Sequence, residues 1–216
     1  MNDFFIILLL LLTFSVKKSY SQKYVGDDKF KAGLKAGISL NTFKGNAFTT
    51  SYFTRGFSLG LYYRQKFKNG IHFQTEITPA IRGAKFTNSS DTGYEKINLL
   101  YIDFTQLLIK DLNKNNNTHC LLAGIQPSVL LQSWVYNNYY KLSPAARDIA
   151  LNSIDFSIVA GYQLNKKTFG IQSLIKIGLL NINRGLNMRD HDGRRLGPTN
   201  DKGTIRNLSL ETSITF

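Results

Sequence analysis

Eight stretches of this chain alternate apolar and polar residues at 30–41, 57–67, 71–83, 97–110, 118–133, 151–164, 168–182 and 203–216. A period of two is the pattern of a strand with two unlike faces. Strands of soluble sheets commonly run to about 5–6 residues. A tilted strand that crosses a bilayer needs about 9–11, and all eight stretches reach that length. The connections are sorted as well. "KNG" (68–70), "LNKNNN" (112–117) and "NKK" (165–167) are short polar turns, whereas those around 42–56, 84–96, 134–150 and 183–202 are long. Long and short alternate strictly along the chain, so every short turn and both termini fall at one end, and every long loop at the other. Short periplasmic turns and long external loops on an even number of strands belong to outer-membrane barrels.

The two faces carry the same message. Phe30, Ala32, Leu34, Ala36, Ile38 and Leu40 share one side of the first strand, and Phe57, Leu59, Leu61 and Tyr63 one side of the second. The sixth contributes Ile154, Phe156, Ile158, Ala160, Tyr162 and Leu164, and the seventh Phe169, Ile171, Ile175, Ile177 and Leu179. Lys31, Lys35, Arg64, Lys66, Glu76, Arg82, Asp103, Asp155, Gln172, Lys176 and Glu211 lie on the opposite faces. A soluble barrel binding an apolar ligand would turn the apolar faces inward, and periodicity alone admits that arrangement. Strand length and loop sorting favour the inverted one, in which lipid covers the apolar side. Eight strands enclose a space that side chains just fill, and unpaired buried charge is costly. Lys35, Arg64, Arg82 and Lys176 are therefore expected to pair with Glu76, Asp103, Asp155 and Glu211 and close the lumen. A proton or ion path through these groups is the alternative. "INLLYIDFTQLLI" (97–109) is apolar on both faces and leaves its orientation open; Pro79 and Pro127 each remove a ladder donor and predict bulges or strand ends.

"FFIILLLLLTFSV" (4–16) is too short for an ordinary membrane helix, and Ser19-Tyr20-Ser21 has signal-peptidase spacing. Residues 1–21 read as a cleaved signal peptide, 22–29 as a short lead and 30–216 as the barrel, although the first residues carry Asp3 and no cation. An uncleaved anchor is the alternative. The chain is basic, at +13, but its Lys and Arg are scattered and form no nucleic-acid-binding motif. With Cys120 as the one cysteine there is no disulfide or paired-cysteine metal site; it reads as a small apolar residue within a strand.

Aromatic residues gather where interfacial belts would lie. Phe30, Phe67, Phe73, Phe169 and Phe216 mark the short-turn end; Tyr52, Phe53, Phe86, Tyr94, Trp134 and Tyr136 mark the other. His72, His119 and His191 are dispersed, and no metal or nucleophile motif is present, so no catalytic residue, cofactor or metal ion is expected. A lipid-modifying enzyme built on His72 is the competing reading. In "RDHDGRRLG" (189–197), Arg194 and Arg195 are candidates to contact phosphates of surface lipopolysaccharide, and "SPAARDIAL" (143–151) has the cap and proline of a short surface helix.

"FKAGLKAGISLNTFKG", "IHFQTEITPAIRGAKF", "NLLYIDFTQLLIK", "LLAGIQPSVLL" and "FSIVAGYQL" together resemble successive strands of the PorT-like outer-membrane β-barrel family of Bacteroidetes-type bacteria, over residues 30–216. Thr75 and Asp103-Phe104-Thr105 depart from its usual Pro-containing strand motifs. The resemblance implies an all-β, eight-stranded antiparallel up-and-down barrel, exported and inserted by the barrel-assembly machinery, with no reaction attached. It further implies that this machinery reads Ile214 and the terminal aromatic Phe216 of "NLSLETSITF". The expected protein is a non-enzymatic monomer in contact with outer-membrane lipids, with loops serving surface or envelope contacts and an external partner left open.

Overall fold

The computed structural model describes residues 30–47, 50–87, 94–112, 118–137, 151–166, 168–184, 188–189, 195–196 and 203–216. The expected signal peptide, the lead, the "SPAARDI" stretch, His191 and Arg194 lie outside the described residues.

The strands are β1 (Phe30–Lys44), β2 (Thr50–Tyr52), β3 (Thr54–Lys66), β4 (Ile71–Thr87), β5 (Tyr94–Asp111), β6 (Thr118–Asn137), β7 (Ile154–Asn165), β8 (Gly170–Gly178), β9 (Met188–Arg189), β10 (Arg195–Leu196) and β11 (Arg206–Thr215). β2 continues β3 beyond Phe53, where the register against β4 steps by one residue. β9 and β10 pair only with each other. The remaining strands pair antiparallel with their neighbours in chain order, and β11 returns to β1 from Lys35↔Thr215 to Lys44↔Arg206. The result is a closed eight-stranded up-and-down barrel, whose wall has no first or last strand to leave as an edge. The turn at 68–70 is tight because Asn69 (φ 62°) and Gly70 (φ 67°) both adopt the left-handed conformation that these residue types tolerate.

The alternation resolves into an inside and an outside. Leu59 is 54% exposed, while Ser58 beside it is 2% exposed. Leu34, Ile38, Leu61, Ile158, Ile175 and Leu210 are exposed like Leu59, and Lys35, Glu76, Lys176 and Glu211 are buried like Ser58. An apolar surface this continuous needs lipid to cover it, so the soluble-barrel alternative fails. β5 also settles: Ile97, Leu99, Tyr101, Asp103, Leu107 and Ile109 point inward.

Four expectations need correction. The supposed long connection at 42–56 is mostly strand, and β4 and β5 likewise run through both ends of 84–96, because the alternation keeps its phase there. Pro79 and Pro127 produce no bulge. Pairing of β3 with β4 lapses beside Pro79 and resumes in the same register, and the β5–β6 shift lies at Leu100/Tyr101, away from Pro127. Phe86 belongs to no outer belt: its position on β4 puts it inside, 1% exposed. Lys31 and Lys66 share the inner phase but lie exposed at the short-turn rim, where the strands end.

Candidate functional site

The site this fold builds is its interior, in three layers. At mid-height, Lys35 Nζ lies 2.7 Å from Glu76 Oε2 and 2.8 Å from Glu211 Oε1. Glu211 bridges to a second lysine, its Oε2 lying 2.6 Å from Lys176 Nζ. Glu76 also accepts from Gln74 Nε2 at 2.5 Å and Gln172 Nε2 at 3.5 Å. Register explains the cluster: Ser39↔Glu211 and Ser209↔Lys176 set β1, β11 and β8 side by side with these side chains in phase. Further toward the long loops, Arg82 Nη2 donates to Asp103 Oδ2 and its guanidinium stacks 5.1 Å from the Tyr101 ring centroid. Such charge-assisted bonds between buried groups are strong, and Lys35, Arg82 and Lys176 each have a carboxylate partner.

Arg64 and Asp155 do not take the ionic partners expected from sequence. Arg64 donates to Gln74 Oε1 at 2.6 Å and Gln163 Oε1 at 2.8 Å. It faces Gln74 in the β3–β4 register, one inward step short of Glu76, whose oxygens are already engaged. Asp155 accepts from Asn207 Nδ2 at 2.7 Å, since the guanidinium of Arg82 is taken up by Asp103. Among the described residues, Ser58 Oγ, Thr78 Oγ1 and Asp103 Oδ1 are buried and find no hydrogen-bond partner.

Toward the short turns, one carboxylate joins two groups that sequence reading kept apart. Asp111 Oδ2 lies 2.9 Å from His72 Nε2, and Cys120 Sγ donates to Asp111 Oδ1 at 3.2 Å. Cys120 packs with Leu107, Ile109, Leu122, Val159 and Leu174, as an apolar strand residue should. His119 bonds the Tyr162 hydroxyl. Among the described residues no cluster of three or more His, Cys, Asp or Glu is arranged to hold a metal ion.

The third layer was missed. Phe43, Ala84, Phe86, Ile97, Leu99 and Tyr101 pack inside the barrel at its long-loop end, joined by Ala47, Leu151, Ile182 and Ile205. Its signal was available: Phe43 shares the inner phase of Lys35, as Ala84 and Phe86 share that of Glu76 and Arg82. This apolar plug and the ionic layer beneath it both fill the lumen.

Of the remaining candidates, Ile214 and Phe216 face outward and are exposed. Arg195 lies in β10, paired in register with Arg189.

A barrel with an apolar outer wall and a lumen filled by ion pairs and packed side chains is a small, closed transmembrane β-barrel of the outer-membrane type. Residues 20–184 match the family described as outer membrane protein beta-barrel domain, and the chain belongs to that family. It resides in the bacterial outer membrane. No curated protein matches the sequence. Among solved structures it is similar to Ail, the attachment invasion locus protein of Yersinia pestis (16% identity, 87% of this chain and 99% of that one, TM-score 0.41). It is also similar to Neisserial surface protein A (10% identity, 86% and 97%, TM-score 0.45). The translocator domain of the autotransporter NalP from Neisseria meningitidis is another such structure (9% identity, 98% and 95%, TM-score 0.33).

Proposed function

We propose that this protein is a non-enzymatic, non-conducting barrel that serves as a scaffold, with its long loops held at the cell surface for adhesion or envelope contacts. The carrying observation is the double filling of the lumen. The Lys35–Glu76–Glu211–Lys176 cluster and the Phe86–Leu99–Tyr101 plug occupy the space a channel or internal ligand would need. Function then falls to the connections at 134–150 and 183–202, where Arg194 and Arg195 are the proposed contacts to lipopolysaccharide phosphate. The protein works as a monomer, is assigned to the PorT-like branch of Bacteroidetes-type barrels without the specialised secretion role, and offers Ile214 and Phe216 to the barrel-assembly machinery.

Two measurements test this. The reconstituted protein is expected to carry no single-channel current in a planar bilayer; a steady open level contradicts the scaffold reading. Cells carrying the chain with 138–148 replaced by a short Gly-Ser linker are expected to keep the heat-modifiable barrel and lose surface attachment or detergent resistance. A lipid A mass altered by His72→Ala would instead support a lipid-modifying enzyme.

A further inference from the structure

Among the described residues, the buried charges of the lumen lie at two levels, and one of them balances. Lys35 and Lys176 meet two carboxylates, Glu76 and Glu211. Further toward the long loops, the single cation Arg82 serves two carboxylates, Asp103 and Asp155, and all three are at most 3% exposed. Asp103 and Asp155 stand at one height, each the direct cross-strand partner of Ser128. Arg82 takes Asp103 Oδ2, while Asp155 is held by neutral donors, the Phe156 amide at 2.8 Å and Asn207 Nδ2 at 2.7 Å. One guanidinium against two carboxylates leaves one negative charge over, which a buried site tolerates only if a cation or a proton offsets it. Three oxygens beside it have no hydrogen-bond partner among the described residues: Asp103 Oδ1, Thr78 Oγ1 and Ser58 Oγ, on residues at most 2% exposed. Register gathers them. Thr78 is the direct partner of Asp103, Ser58 is the direct partner of Ala80, and Ala80 follows Thr78 by one inward step. The wall there is short of side chains: a Cβ on Gly60 would come within 2.5 Å of Thr78 Oγ1, and one on Gly37 within 2.8 Å of Ser58 Oγ. The β3–β4 ladder also lapses at this height, between Ser58↔Ala80 and Leu61↔Ile77.

We infer that Asp103, Thr78 and Ser58 bind one small monovalent cation, sodium or potassium, within the closed lumen. The donors are a carboxylate and two hydroxyls, the all-oxygen set that hard cations take. A single positive charge restores the balance that Arg82 leaves incomplete, and a divalent ion would overshoot it. A proton on Asp103 would offset the charge and still leave the two hydroxyl oxygens unused, whereas one cation takes up all three. Bound there, the ion ties β3, β4 and β5 together where the ladder beside Pro79 is interrupted. The site belongs to the inner wall and stands apart from any role of the long loops.

The test is urea unfolding of the full chain from lipid vesicles at constant ionic strength, with choline chloride replaced stepwise by sodium or potassium chloride. The unfolding midpoint is expected to rise with sodium or potassium and to level off once the site fills, as binding to the folded state alone requires. An equal midpoint in all three salts would overturn the inference and leave the charge to a proton. Thr78→Val removes one oxygen at nearly constant shape and is expected to raise the half-saturating concentration about tenfold. Asp103→Asn is expected to abolish the dependence. The heat shift on gels verifies folding of each variant, and if Asp103→Asn does not fold, Thr78→Val decides. A salt dependence unchanged in Thr78→Val, or kept in full by Asp103→Asn, would place the ion elsewhere and sink the assignment.

Discussion

Two neighbouring layers of the lumen's filling are made from opposite chemistry. The middle layer is charged: Lys35, Lys176 and Arg82 against Glu76, Glu211 and Asp103, each bond directional and each partner fixed by register. The layer under the long loops is apolar: Phe43, Phe86, Ile97 and Leu99 pack without direction. A misplaced strand would strand charges in the first layer and merely repack the second. The ionic layer therefore specifies which residues face which, and the plug excludes water by volume.

This contrast can be broken from either side. The largest effect is expected from Glu211→Gln, which removes the carboxylate shared by Lys35 and Lys176 and leaves Lys176 buried without its ionic partner. Unfolding in urea from lipid vesicles should show a loss of about 3–5 kcal/mol; a change below 1 kcal/mol, as an order of magnitude, would mean the cluster is no more than a surface-like pair. Next, Phe86→Ala should cost about 3 kcal/mol in the same assay and, with the ionic layer intact, still give no bilayer current. A current from this single change would show that the plug alone seals the barrel. On the outer wall, Leu59→Arg sets a charge against the acyl chains and should cost about 2–4 kcal/mol, seen as a fall in the heat-resistant folded band. The smallest effect belongs to the incompletely bonded patch: Ser58→Ala removes a hydroxyl without a partner and should shift stability by less than about 1 kcal/mol. A larger loss would mean that hydroxyl is satisfied in the membrane.

The same contrast marks what was legible in the sequence. Charges on the inner phase, such as Lys35 and Glu211, stand out against apolar neighbours, so the ionic layer could be named from alternation alone. Partner choice could not. Arg64 stands opposite Gln74, one inward step from Glu76, and Asp155 of β7 lies three strands away from Arg82 of β4, and neither placement shows in local alternation. The plug is hard to read because Thr42, Gly45, Asn46 and the Asn- and Ser-bearing stretch after Thr87 look like loop chemistry, although Phe43, Ala84 and Phe86 keep the inner phase. Phase outweighs residue type where both neighbouring strands continue. Pro79 shows the same priority: its missing donor interrupts one ladder locally, while the uninterrupted β4–β5 register holds the strand in place. Asp111 joining His72 and Cys120 unites three strands and had no local sequence signal.

The central claim is that lipid covers the face of Leu59 while the face of Ser58 looks into a filled lumen. Nitroxide labels at Leu59→Cys and Ser58→Cys, each in a Cys120→Ser background in vesicles, test it by collision with oxygen and with a water-soluble nickel chelate. The label at 59 is expected to be mobile, open to oxygen and shielded from nickel, and the label at 58 immobilised and shielded from both. An immobilised label at 59 beside an oxygen-accessible one at 58 would contradict the account.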